Sequence, residues 1–242
     1  MPKPYTSTNE VRPSQNDTHY GIPAGYKFTY IGGSGEIVEK KSRFIATIEP
    51  VNSEQEALDF IERIRKQYWN ASHNCTAFTI GKNHQITRCS DDREPSGTAG
   101  RPMLDVLLGE KLHDTAVVVT RYFGGTLLGT GGLVRAYAAA VREGLNNATI
   151  LEKHQGVRLS IHTDYNGIGK VQYILNQSQI PILHSEYTDS VFLEALTPNA
   201  LLDSTIIAIT ENTSGHASLA KGNACQYALL NGEILLFEEE SQ

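Results

Sequence analysis

The sequence is short of the residues that staple small proteins or carry chains through membranes. It has 3 cysteines in 242 residues, an odd number with no paired spacing. That excludes a disulfide framework and a four-cysteine zinc site. No apolar run approaches the ~20 residues that span a bilayer, so no membrane contact is expected. Cations are outnumbered: 21 Lys and Arg stand against 27 Asp and Glu, for a formal charge of −6. This argues against a chain-wide nucleic-acid footprint but leaves room for a local basic face. The opening stretch MPKPYTSTNEVRPSQNDTHY lacks an apolar core region, so no secretory signal is expected. A reducing, cytoplasmic setting is the expectation.

What is present is globular. The chain is 40% hydrophobic, too apolar for disorder. Its length suits one large or two modest domains. Residues 1–25, rich in Pro, Ser, Thr and Asn, read as a flexible tail. Glycines near Tyr30 mark a loop, and residues 43–48 read as the first strand. Ser53 and Glu56 have the spacing of a capping box, ahead of a helix with Ala57, Ile61, Ile64 and Tyr68 inward. Residues 75–80 and 85–89 read as a hairpin. A helix starts at Pro102, residues 116–120 form a buried strand, and residues 133–145 a helix with Val134, Ala138, Val141 and Leu145 on one face.

The pattern starts afresh after Asn147. Residues 157–161 read as a strand and 165–178 as a helix. Residues 182–187 and 191–196 read as a strand pair. Thr197 and Pro198 read as N-cap and first residue of a further helix, and residues 233–237 as a last strand. This β-α-β-β-α-β order predicts a ferredoxin-like domain. The expected class is α+β, with domains over 26–150 and 155–237.

Two segments are dense in turn residues and chemistry. In residues 88–102, Gly97 and Gly100 allow positive φ, so backbone N–H groups could converge on an anion. Ser96 and Thr98 add hydroxyls. The competing reading is a polar loop with capping residues. Asp91, Asp92 and Glu94 could hold a cation, but no histidine or EF-hand spacing supports one, so no metal site is expected.

In residues 121–135, a strand feeds Gly124, Gly125, Gly129, Gly131 and Gly132, then a helix. That layout suits a phosphate at a helix N-terminus. The named fingerprints fail. Thr130 stands where a P-loop needs lysine, and Val134 where a dinucleotide loop needs glycine. Close backbone packing explains the same glycines. His73 is a polar candidate on a sheet edge, and Cys75 reads as a core residue rather than its catalytic partner. Lys40, Lys41 and Arg43 form one basic group. Arg121 and Arg135 flank the glycine loop. If the loops converge, one face is basic despite the acidic total.

These residues fall in four ordered motifs. They are residues 39–46 (EKKSRFIA), 73–75 (HNC), 90–100 (SDDREPSGTAG) and the pair 120–125 and 128–137 (TRYFGG, LGTGGLVRAY). Together they resemble the IMPACT family, in its bacterial YigZ branch. Arg93 stands where that family usually has glycine. The resemblance implies an N-terminal α/β domain like a small-subunit ribosomal protein and domain IV of elongation factor G. It implies a C-terminal domain like domain V of that factor. It also implies a link to translation, since eukaryotic relatives modulate translational control through protein binding. No catalytic residue and no cofactor is carried over. The reading is a non-catalytic binding protein that engages RNA, the ribosome or a translation-regulatory protein. The rival is an enzyme acting on a phosphorylated small molecule or nucleotide at the two loops.

Overall fold

The computed structural model describes residues 25–237. The tail expected over residues 1–25 lies outside them save for Gly25. The described chain is mixed α and β, and it divides between Leu151 and Glu152 into two compact units.

The first unit contains β1 (Tyr26–Ile31), β2 (Gly33–Glu39), β3 (Ser42–Pro50), α1 (Glu54–Gln67), β4 (His73–Ile80), β5 (Ile86–Ser90), α2 (Gly100–Gly109), β6 (Leu112–His113), β7 (Thr115–Tyr122) and α3 (Thr130–Asn146). Five strands form an antiparallel sheet in the order β2-β3-β7-β4-β5. β1 pairs with β6 in parallel.

β7 is central, and its side chains alternate between two cores. Val117 and Val119 pack with Phe44, Cys75, Met103, Leu107 and Tyr137 beneath α2 and α3. Ala116 and Val118 pack with Phe60, Ile61 and Ile64 of α1 on the opposite face. A strand covered on both sides has no polar alternation, hence its unbroken apolar run. α1 starts as the sequence predicts. Ser53 Oγ accepts the Glu56 N–H at 3.2 Å, although Glu56 reaches back to the Asn52 N–H rather than to that of Ser53.

The second unit holds most of β8 (Thr149–Thr163), then α4 (Ile168–Gln177), β9 (Ile182–Tyr187), β10 (Val191–Pro198), α5 (Leu202–Asn212), β11 (Ser218–Leu230) and β12 (Glu233–Phe237). Its antiparallel order is β9-β10-β8-β11-β12. The first four strands have the split β-α-β arrangement of the expected plan. Leu159, Ile161, Val171, Leu175, Leu193 and Ile209 form its core.

Several sequence readings are corrected. β1 and β2 occupy the stretch read as a loop, because Gly32, Gly33 and Gly35 sit inside or beside a hairpin rather than ending it. The closing strand of the second plan is β11, with β12 added outside it; the exposed first half of β11, broken by Lys221, Gly222 and Asn223 at a register shift, hid it. Thr197 and Pro198 do not open a helix. Thr197 pairs with Val157 in the ladder, and Pro198 is extended at ψ 139°. α5 starts at Leu202, after a short 3-10 turn. α2 and α3 start two and three residues earlier than expected, at Gly100 and Thr130.

Candidate functional site

One end of the five-stranded sheet gathers the segments singled out from sequence. The β2–β3 turn is Lys40-Lys41, both residues at positive φ, and Glu39 pairs with Ser42 across it. That is the backbone of a two-residue primed turn. Phe44 lies opposite Arg121 in β7, and Arg121 opposite His73 in β4. The β5–α2 loop reaches this same end through Glu94, bonded to Arg121, and the β7–α3 loop leaves it at Phe123 beside that guanidinium.

The first loop is closed on itself. Asp91 accepts the N–H groups of Gly97 at 2.8 Å, Ala99 at 3.0 Å and Gly100 at 2.8 Å. The concavity expected to receive an outside anion therefore holds the chain's own carboxylate. Burial works to raise the Asp91 pKa, but the bonds from Gly97, Gly100 and Ala99 outweigh it and hold the acid below its usual range. Gly97 takes the expected positive φ of +76°, whereas Gly100 does not; a Cβ there would lie 2.7 Å from the Ser90 nitrogen. Asp92 accepts the Asn74 N–H at 2.6 Å. Thr98 bonds to the Pro95 carbonyl at 2.7 Å, and Ser96 is exposed. Arg93 adopts φ +71° despite its side chain, and its guanidinium points outward beside Asp92.

Beneath the loop lies a buried polar cluster. Glu94 Oε1 accepts from Arg121 at 2.5 Å and from the Tyr137 hydroxyl at 2.8 Å. The Arg121 and Glu94 side chains are only 6% and 3% exposed. Arg121 lies 5.2 Å from the Phe44 ring centre and 5.5 Å from that of Phe123. It also reaches Ser42 Oγ at 3.4 Å, and its Nε has no partner among the described residues. The Cys75 thiol lies 3.1 Å from the Asp91 carbonyl oxygen and 3.3 Å from the Tyr137 hydroxyl. Burial pushes that thiol up to about 12 and the Tyr137 phenol far above its usual range. Cys75 is thus a neutral thiol and Tyr137 a fixed donor, so neither is a nucleophile.

His73 faces the same side, with Nε2 3.8 Å from Glu94 and Nδ1 2.8 Å from the Asp92 carbonyl oxygen. It opens β4 at the end of an interior strand, not on a sheet edge. His73 and Cys75 share a face because residues two apart on a strand do. No hydrogen bond joins them.

The second loop is more open. Gly124 packs so closely on the Lys41–Ser42 backbone that any Cβ would collide with it. Its N–H bonds to Ser42 Oγ at 3.1 Å. Gly125 and Gly129 take φ of +82° and +75°, and Gly131 and Gly132 already belong to the first turn of α3. That turn has neither a side-chain cap nor an acidic residue. A Cβ on Gly131 would lie 3.5 Å from the Arg135 guanidinium, which places this cation beside the helix N-terminus. Lys40, Lys41 and Arg135 are exposed. Arg43 is not a free cation: Glu36 holds it at 2.8 and 2.9 Å. The buried face of α3 is Leu133, Ala136, Tyr137, Ala140, Val141 and Gly144, one position away from the face read in sequence, with Val134 37% exposed.

Sequence reasoning missed Ser42, Tyr137 and the α1–β4 turn as parts of this end. Tyr137 lay within a quoted motif, but its partner Glu94 is 43 residues away. No local pattern announces such a contact.

Among the described residues, no group of three or more His, Cys, Asp or Glu is placed to hold a metal, and no helix is long and apolar enough to cross a membrane. Fold and site define a two-unit α+β protein whose loops are locked by a buried ion pair. Residues 40–145 match the Impact N-terminal domain, and residues 161–216 a domain of unknown function, DUF1949. The chain is 44% identical over 190 residues to the IMPACT family member YvyE of Bacillus subtilis, covering 78% of this chain and 88% of that one. It is 37% identical over 163 residues to YigZ of Escherichia coli, covering 66% and 80%. A crystal structure titled as that of a hypothetical protein superposes with a TM-score of 0.53 at 31% identity, covering 82% of this chain and 97% of that one. The chain belongs to the IMPACT family and groups with its bacterial, YigZ-like members.

Proposed function

We propose that this is a non-catalytic binding protein of translation or its regulation, and that its first unit engages RNA, free or within the ribosome, through backbone phosphates. The observation that carries this is the uncapped N-terminus of α3, with Arg135 beside it and the Lys40-Lys41 turn packed under Gly124. Free N–H groups, a helix dipole and unpaired cations on one edge suit phosphate oxygens. The same end offers no activated nucleophile: Cys75 is neutral, Tyr137 is committed, and Glu94 is paired. Arg121, grouped from sequence with a basic face, is kept from phosphate by its burial against Glu94. The likeness to elongation factor G domains IV and V, and the independent folding of the two units, belong to this proposal; fold analogy alone would not fix function.

The test is RNA binding across a salt series for the intact chain and for Lys40→Ala, Lys41→Ala and Arg135→Ala. Each lost phosphate contact should flatten the log–log salt slope by roughly 0.7–0.9. Binding that ignores salt and nuclease would point to a regulatory protein as the partner instead.

The enzyme reading has one observation in its favour: His73 is 21% exposed and stands 3.8 Å from Glu94. Turnover of a phosphorylated metabolite or nucleotide that His73→Asn abolishes, with the fold kept, would replace the proposal.

A further inference from the structure

The sheet of the first unit is covered unevenly. α1 packs on β4 and β7, and its side leaves β2 bare. Ser34, Glu36 and Val38 of β2 face that side and are all exposed, with Val38 at 62%. They pair with Thr47, Ile45 and Arg43 of β3, which fixes their common face. Arg43 lies opposite Tyr122 of β7, and its guanidinium sits 5.7 Å from that ring centre.

Beside this open face stands the only tryptophan of the chain. Trp69 is 82% exposed. It is not there by slack. The Tyr68 N–H bonds to the Ile64 carbonyl at 2.9 Å, and the Ala71 N–H to the Tyr68 carbonyl at 3.0 Å, so a tight turn holds it outward. Asn70 Oδ1 accepts the Tyr122 hydroxyl at 2.9 Å, which ties that turn to the sheet face. A large indole fixed in water forgoes a substantial burial energy, and an amphipathic ring held so is suited to contact.

The charge around the aromatics is positive. Lys40 and Lys41 form the adjoining turn, and Arg65 lies in the last turn of α1; none is in an ion pair among the described residues. Glu36 is neutralised by Arg43, which leaves Glu39 as the acid at the turn.

We propose that this open sheet face binds single-stranded RNA, with unpaired bases stacked on Trp69 and Tyr122 and backbone phosphates at Lys40 and Lys41. The inference rests on the RNA reading above and deepens it by naming the form of RNA. Aromatic faces need splayed bases, which a duplex does not offer, whereas phosphate contacts alone serve duplex and single strand alike.

Because Trp69 is the sole tryptophan, its fluorescence reports this face directly. The intact chain is titrated with a short oligouridylate, with the same strand annealed to oligoadenylate, and with inorganic polyphosphate of like length. Oligouridylate should quench Trp69 and bind more tightly than the duplex; polyphosphate should leave the emission unchanged. With the anisotropy of a labelled oligouridylate as the readout, since neither variant keeps a tryptophan, Trp69→Ala should weaken binding by about 5- to 150-fold, the usual range for one stacked base, and Trp69→Phe should restore most of it. The indole is exposed, so circular dichroism should show both variants folded. Equal affinity for single strand and duplex, with Trp69→Ala unchanged, would overturn this inference and leave RNA binding standing. No binding of any RNA would overturn both.

Discussion

Replacing Glu94 by Gln removes the negative charge at the centre of the buried cluster while keeping its shape. In the native protein one oxygen takes both the Arg121 guanidinium at 2.5 Å and the Tyr137 hydroxyl at 2.8 Å. Both partners of the ion pair are almost wholly buried. Breaking such a pair typically costs ~3–5 kcal/mol, because the remaining charge has lost its water without compensation. Gln retains an oxygen that accepts from Tyr137, so the lower figure, about 3 kcal/mol, applies. For a unit of this size that is on the order of a 10 °C fall in Tm. Urea unfolding followed by circular dichroism would read it as a lower midpoint at unchanged slope. The mechanism is separated from simple damage by a cycle. Arg121→Met in the Glu94→Leu background should cost far less than Arg121→Met alone, with a coupling energy of ~2 kcal/mol or more. A loss below ~1 kcal/mol for Glu94→Gln, or strictly additive single and double variants, would refute the locking role.

Two further outcomes are expected. Arg93 holds φ +71°, a region that penalises any side chain; Arg93→Gly should raise stability by up to about 1 kcal/mol in the same urea assay, the relief of strain exceeding the added chain entropy. Asp91 has a folded pKa below its unfolded value of about 3.8–3.9, so its contribution is present above that pH and is lost as pH falls through the folded value. Acid unfolding curves should show Asp91→Asn already destabilised at neutral pH and converging with the native chain below about pH 4.

Much of the fold was legible where local chemistry decides it. The Ser53 cap, the inward positions of α1 and the apolar run of β7 all follow from side-chain spacing. The family followed from ordered motifs. The failures have a common cause: partners distant in sequence. β11 forms because β8 and β12 flank it, although its first half is exposed and is interrupted by Lys221, Gly222 and Asn223. Thr197 has the composition of a helix cap, yet ladder pairing with Val157 overrides that preference. At the site, the N–H groups of Gly97 and Gly100 converge, Gly97 through the expected positive φ and Gly100 without it. That Asp91 accepts them depends on how the loop folds back, which spacing does not reveal. Trp69 carried no motif at all; only its exposure and its tie through Asn70 to Tyr122 bring it into view.

The density of a motif and the supply of unpaired charge are different things here, and the ion pairs show why. The chain is acidic overall, yet most arginines around the two loops are spent internally. Arg43 is held by Glu36, Arg88 by Glu54, Arg101 by Asp105 and Arg121 by Glu94, while Arg93 lies beside Asp92. In loop 90–100 the acids are engaged internally: Asp91 takes three backbone N–H groups, Asp92 the Asn74 N–H and Glu94 the Arg121 guanidinium. Its acids and glycines serve to close a turn and to pin it to β7 and α3. Among the cations with no ion pair in the described residues are Lys40 and Lys41 on a two-residue turn, Arg135 on an uncapped helix and Arg65 in the last turn of α1. An external anion is attracted to the charges that no internal partner has claimed, not to those that are most numerous in sequence. On that ground the lysine turn and its neighbours, rather than the conspicuous acidic loop, are where a polyanion should meet this protein.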